Sequence, residues 1–107
     1  MSQTDPGRLN RRLALEAPVE TPDGAGGVTR GFAQVATLWA QVEPVSARGD
    51  VTADARGASV THRIRIRFNA DVTLRHRFRD GATVFRFVAM REQGRRFIDI
   101  DAEQRID

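Results

Sequence analysis

Residues able to do covalent or acid–base chemistry are sparse in this chain. Serine occurs at Ser2, Ser46 and Ser59, and none sits in the Gly-x-Ser-x-Gly setting that presents a nucleophile to a base. The two histidines, His62 and His76, fall on separate segments with no His-x-His, His-x-x-x-His or His-Glu-x-x-His spacing to grip a metal. Cysteine is absent, which excludes disulfide scaffolds, thiol catalysis and thiolate metal sites. Asp99 and Asp101 share one face of a strand, but they read as a solvated strand end rather than an acid/base pair. Gly24-Ala25-Gly26-Gly27 lacks the lysine and following helix of a phosphate-binding loop. The expectation is a protein that is not an enzyme and needs no cofactor or metal.

Arginine is the exception. All 17 basic residues are arginine, against 14 acids, for a net charge of +3. Six of them, Arg63, Arg65, Arg67, Arg75, Arg77 and Arg79, recur at every second position in two runs interrupted only by one acid, Asp71. Alternate positions line one face of a strand, so two such strands joined as a hairpin would gather all six on one surface. Like charges placed opposite one another are unfavourable, so that surface should face acceptors. Water, the acids of a neighbouring subunit and nucleic-acid phosphates all qualify. The outward positions carry no aromatics, which counts against single-strand binding by stacking. The last ten residues carry Asp99, Asp101, Glu103 and Asp107 against Arg105, a net −3. A basic middle and an acidic end suit head-to-tail association, with Asp99, Asp101 and Glu103 as the candidate partners of the arginine face.

The elements that must position these residues follow a period of two. Leu13, Leu15, Ala17 and Val19 alternate with polar residues over 11–20, with Pro18 marking an edge or a bulge. Residues 21–27 read as a loop, and 34–43 as a long strand covered on both faces and stopped by Pro44. Trp39 on that strand reads as a packing anchor. Ile64, Ile66 and Phe68 point inward from 61–68, as do Val72, Leu74, His76 and Phe78 from 72–79, a hairpin pattern about Asn69-Ala70-Asp71. His76 thereby reads as a core or interface histidine, and His62 as exposed. Strands at 83–90 and 96–101 follow. Between strands two and three, residues 46–60 are small and glycine-rich, with little apolar area to specify a fold.

About six strands, short turns and no long helix predict an all-β fold, a small antiparallel β-barrel with one long loop between strands two and three. The chain reads as a single domain over 1–107, with a flexible N-terminus at 1–7 and a C-terminal tail at 102–107. Composition, 40% hydrophobic and 29% charged, is globular. There is no run of about 18 apolar residues to span a membrane as a helix, and Met1–Gly7 lacks a signal-peptide core. The protein is expected to remain where it is made, with no membrane partner.

The order of the pieces carries a resemblance. The opening Gly7-Arg8-Leu9-Asn10-Arg11-Arg12-Leu13, a glycine-rich turn, Thr37-Leu38-Trp39-Ala40-Gln41-Val42-Glu43-Pro44, then Thr61-His62-Arg63-Ile64-Arg65-Ile66-Arg67-Phe68 and a closing Phe97–Asp101 together resemble phage head–tail joining proteins. These are head-completion or stopper proteins, with similar members in gene transfer agents. The resemblance implies a structural connector made in the bacterial cytoplasm and built into a virion or phage-like particle. It implies a homo-oligomeric ring of six or twelve copies, between a portal-side adaptor and a tail terminator or tail-tube protein. Packaged double-stranded DNA would pass through that ring. It also implies that the long loop, with Ser46, Arg48, Asp50, Asp54, Arg56 and Ser59, faces the channel and helps retain DNA. The alternative is a small basic barrel that binds nucleic acid through the arginine hairpin.

Overall fold

A computed structural model describes residues 9–45 and 59–106. Six strands, β1 (Arg11–Pro22), β2 (Val28–Pro44), β3 (His62–Arg67), β4 (Arg77–Asp80), β5 (Thr83–Gln93) and β6 (Phe97–Ile106), close into one antiparallel barrel. Around the barrel the order is β1-β2-β3-β6-β5-β4. The inward parity of each strand supplies the core: Leu13 and Leu15, Ala40, Ile64 and Ile66, Phe78, Phe85 and Phe87, and Ile98, Ile100 and Ala102 form one buried cluster. Phe78 lies opposite Phe85 in register and meets Phe87 edge-on, ring centroids 5.0 Å apart.

Two features of the register shape the molecule. A bulge between Leu15 and Glu16 places one extra β2 residue, Val35, against β1. Beyond it the β1–β2 ribbon leaves the barrel. β4 pairs with β1 only over Ala14–Glu16, and β3 pairs with β2 only from Ala40 onward. Pro18 therefore sits where β1 has no second neighbour and its missing N–H is harmless. The tip is closed by Asp23, whose Oδ1 accepts from the Ala25 and Gly27 amides at 2.8 and 3.1 Å. The result is a projecting arm, and the molecule measures 54 × 30 × 25 Å.

Several expectations need correction. Residues 61–79 do not form a hairpin. β3 pairs with β2 and β6, while β4 pairs with β1 and β5, so the two arginine runs lie on opposite sides of the barrel. The cause is local: 69–76 is a string of turns. Asn69 Oδ1 accepts from the Asp71 amide at 2.9 Å, and His76 Nδ1 accepts from the Thr73 amide at 3.1 Å. His76 is thus a turn residue rather than an inward strand residue, and Leu74 is exposed rather than buried. β2 begins six residues earlier than 34, at Val28, and β1 runs on to Pro22, so the expected loop at 21–27 shortens to 23–27 and residues 28–33 join the arm. Residues 102–106, read as a tail, continue β6, which pairs out to Thr83↔Ile106. The N-terminus at 1–7 lies outside the described residues. So does most of the long loop, including Ser46, Arg48, Asp50, Asp54 and Arg56. Of its last two residues, Ser59 forms a bridge and Val60 is buried.

Phe78→Ala should lower stability by about 3–5 kcal/mol, because Phe78 is fully buried between two other phenylalanines. Chemical denaturation of the purified variant measures this directly, and a loss below about 1 kcal/mol would contradict this account of the core.

Candidate functional site

The arginine faces are built strand against strand, and their counter-ions lie within the same chain. β3 runs beside β6 in a register that sets Arg65 opposite Asp99 and Arg63 opposite Asp101. Arg65 donates through Nε and Nη2 to both oxygens of Asp99, a bidentate pair with Asp99 buried. Asp101 accepts from Arg63 Nε at 3.3 Å and from both terminal nitrogens of Arg91 on β5, at 2.9 and 3.1 Å. The Arg91 guanidinium, foremost by hydrogen bonding, holds the Asp101 carboxyl below its ordinary range. Glu103 accepts from Arg105 and Arg86 at 3.1 and 3.4 Å and is lowered chiefly by Arg105.

A second cluster lies on the opposite side, where β1 meets β4. Glu16, 8% exposed, accepts from Arg77 Nε at 2.7 Å and from Arg79 Nε at 3.1 Å. Arg77 also stacks on Phe32 of the arm, its guanidinium carbon 3.7 Å from the ring centroid. At the barrel edge Arg11 and Asp80 pair at 2.8 Å.

Asp99, Asp101 and Glu103 therefore do partner arginines, but within the subunit. Four of the six arginines singled out from the sequence, Arg63, Arg65, Arg77 and Arg79, are engaged this way. No six-arginine surface exists among the described residues. Arg67 and Arg75 make no ion pair there and remain open to outside partners, as does Arg96. Arg12 lies over Trp39 at 5.5 Å, and Arg95 over Phe68 at 5.8 Å.

Trp39 corrects the packing expectation. It is 54% exposed, on the outer face of β2 opposite Arg12. Both parities of that strand carry apolar residues, so alternation alone did not indicate its side. His62, expected exposed, is half-buried, its ring edge-on to Phe85 at 5.2 Å. Burial first, and the Arg11 charge second, lower its pKa below the ordinary 6.5. Reasoning from the sequence missed the clamp role of Glu16. Its partners on the neighbouring strand β4 lie 61 and 63 residues away in sequence, which left no local signal.

The barrel has paired charges outside, an apolar interior and an arm, and among the described residues no catalytic constellation is assembled. Among the described residues no three metal-ligating side chains cluster. A family model for phage head completion protein matches residues 4–105, and the chain belongs to that family. It is a structural component of a virion or phage-like particle, associates there with other virion proteins, and acts at the head–tail region rather than as an enzyme. It is similar to a chain of the virion of a native gene transfer agent particle, at 28% identity and TM-score 0.64, over 92% of this chain and 96% of that one. It is also similar to protein SF1141 from Shigella flexneri 2a, at 25% identity and TM-score 0.73, over 94% and 96% of the two chains. No curated protein matches.

Two predictions follow from the ion pairs and the histidine. Arg65→Glu should destabilise the isolated domain by roughly 3 kcal/mol, since it sets a second carboxylate against buried Asp99. Arg75→Glu should change stability by less than about 0.5 kcal/mol. Adding Asp99→Arg to the first variant should recover part of the loss, and equal stability of the two single variants would contradict the assignment. His62 resists protonation in the folded state, so the unfolded chain binds the extra proton first as pH falls. Stability should therefore drop as pH decreases below about 6.5 and be fully regained above it, and His62→Gln should flatten that limb.

Proposed function

We propose that the protein is a ring-forming head–tail connector, seated between a portal-side adaptor and the tail, whose 46–60 loop faces the DNA channel. The observation that carries this reading is topological. The end of β2 and the start of β3 hold the segment at one end of the barrel by Pro44↔His62 pairing and by the Val45 amide donating to the Thr61 carbonyl at 2.9 Å. The arm projects from the other end. A ring of such subunits repeats the segment around one rim, where neutral, small residues can approach DNA without trapping it. The four formal charges, Arg48, Arg56, Asp50 and Asp54, cancel. Membership of the head completion family and the likeness to a gene transfer agent virion chain support the reading. Arginine neutralisation within the subunit favours a connector over a barrel that grips nucleic acid by its outer face. Direct binders depend on unspent cations for their salt-sensitive affinity.

Deleting residues 50–56 tests the loop. The expected particles assemble with tails but lose packaged DNA, read as nuclease-sensitive DNA per particle. Trypsin should cut at Arg48 and Arg56 in the free protein and spare them in the particle. Full DNA retention by the deletion, or equal cleavage in both states, would remove the channel role.

A further inference from the structure

We infer that the β1–β2 arm is the subunit-joining element, and that it docks into a groove on the opposite side of the next copy of this same chain. The inference rests on the ring reading above and names the surfaces that would build it.

The core-facing stripe of the barrel does not stop at the rim. Leu13↔Leu38 and Leu15↔Ala36 lie within it, and beyond the bulge the same face continues as Ala17↔Ala33 and Val19↔Gly31. No strand lies across from these last pairs, because β3 and β4 have already parted from the ribbon. Val19, Val28, Phe32 and Val35 are all substantially exposed along the arm. Among the described residues, the β2 edge from Val28 to Trp39 also has no strand paired on its outer side. A long, exposed, apolar edge on a two-stranded ribbon is marginally stable and prone to association, so it needs a cover.

Three observations identify a second copy as that cover. The first is complementarity. A groove of ≈ 470 Å³ opens between the 68–72 turn and β5–β6, where Phe68, Ala70, Val72, Met90 and Ile98 line it together with the polar Asn69, Arg91 and Glu92. That volume admits two or three aliphatic side chains of the kind the arm presents. The second is placement. β5 and β6 lie across the barrel from β1 and β2. Arm and groove also share the end of the barrel at which β3 finishes and β6 begins. Rotation about one axis can therefore bring the arm of each copy onto the groove of the next, the head-to-tail contact that closes a ring. The third is charge. The arm carries Glu20 and Asp23 against one arginine, Arg30, which pairs with Glu20 at 3.0 Å, so its net charge is −1. Such an arm can lie on a copy whose rim carries Arg67, Arg95 and Arg96 without adding repulsion. An arginine-bearing face could not.

The chain holds no cysteine, which makes site-directed disulfides clean. Val19→Cys and Met90→Cys are prepared separately and co-incorporated into particles, then mildly oxidised. The expected product is a mixed dimer formed only when both variants are present, and the double variant should give a ladder of multimers. Val19→Asp supplies the second arm. It should leave the melting midpoint of the free subunit unchanged and reduce tailed particles by about tenfold or more. Several copies per particle with no mixed dimer, together with normal particle yield from Val19→Asp, would overturn the arm–groove contact and leave the ring standing. A single copy per particle by quantitative mass spectrometry would instead overturn the ring reading itself.

Discussion

The seam between β1 and β4 is three residue pairs long, Ala14↔Arg79, Leu15↔Phe78 and Glu16↔Arg77, and the rest of the architecture depends on it. Without it the six strands would form an open sheet with two bare edges. With it, inside and outside are defined for every strand. Such a short seam gains little from backbone hydrogen bonds alone. It is reinforced inward by Leu15 and Phe78 in the core and outward by Glu16 between two guanidinium groups. One carboxylate shared by two arginines leaves no buried cation without a counter-charge, the condition under which a largely desolvated ion pair can be tolerated.

Closure also explains what becomes of the charge. A chain with 17 arginines and no lysine resembles a polyelectrolyte binder by composition. In the fold, most outward arginines of the barrel stand beside a carboxylate from a neighbouring strand, and many of the pairs are between strands distant in sequence. These contacts act as register marks: shifting β3 by one residue against β6 would turn Arg65 and Asp99 to opposite faces. The outer surface is left close to neutral except around the rim near the arm, where Arg67, Arg75, Arg95 and Arg96 gather. Arg95 sits there with φ of 60° in the two-residue turn after Gln93, a conformation disfavoured for a side chain with a Cβ. Its guanidinium lies over Phe68 at the groove.

The two ends of the barrel thus differ in kind. One is where β2 ends and β3 begins, and where β1 starts and β6 finishes. The other carries the arm, the groove and the unspent cations. A head completion protein associates with other virion proteins, and a barrel with chemically distinct ends offers them more than one kind of surface. The rigid wall between them holds those surfaces at a constant separation, as a connector requires.

Alternation of apolar and polar residues is a local property, and it sufficed to mark one face of Leu13–Leu15 and Ile64–Ile66 as apolar and inward, to predict an all-β barrel of six strands, and to carry the family resemblance through the order of its segments. Strand partnership is not local. The Arg65–Asp99 and Arg79–Glu16 contacts join residues 34 and 63 positions apart. Nothing in a period of two distinguishes a hairpin partner from one across the barrel, so the six arginines divide between two walls where the sequence placed them together. Likewise, both parities of β2 are apolar, and only the neighbours of Trp39 decide that it faces out. The arm is invisible for the same reason: a strand that outruns its partners looks, residue by residue, like one that does not. Sequence determined the all-β class and most of the strand cores, because those depend on each residue and its near neighbours. Tertiary structure alone decided which strands meet, and therefore which charges are spent and which surfaces remain.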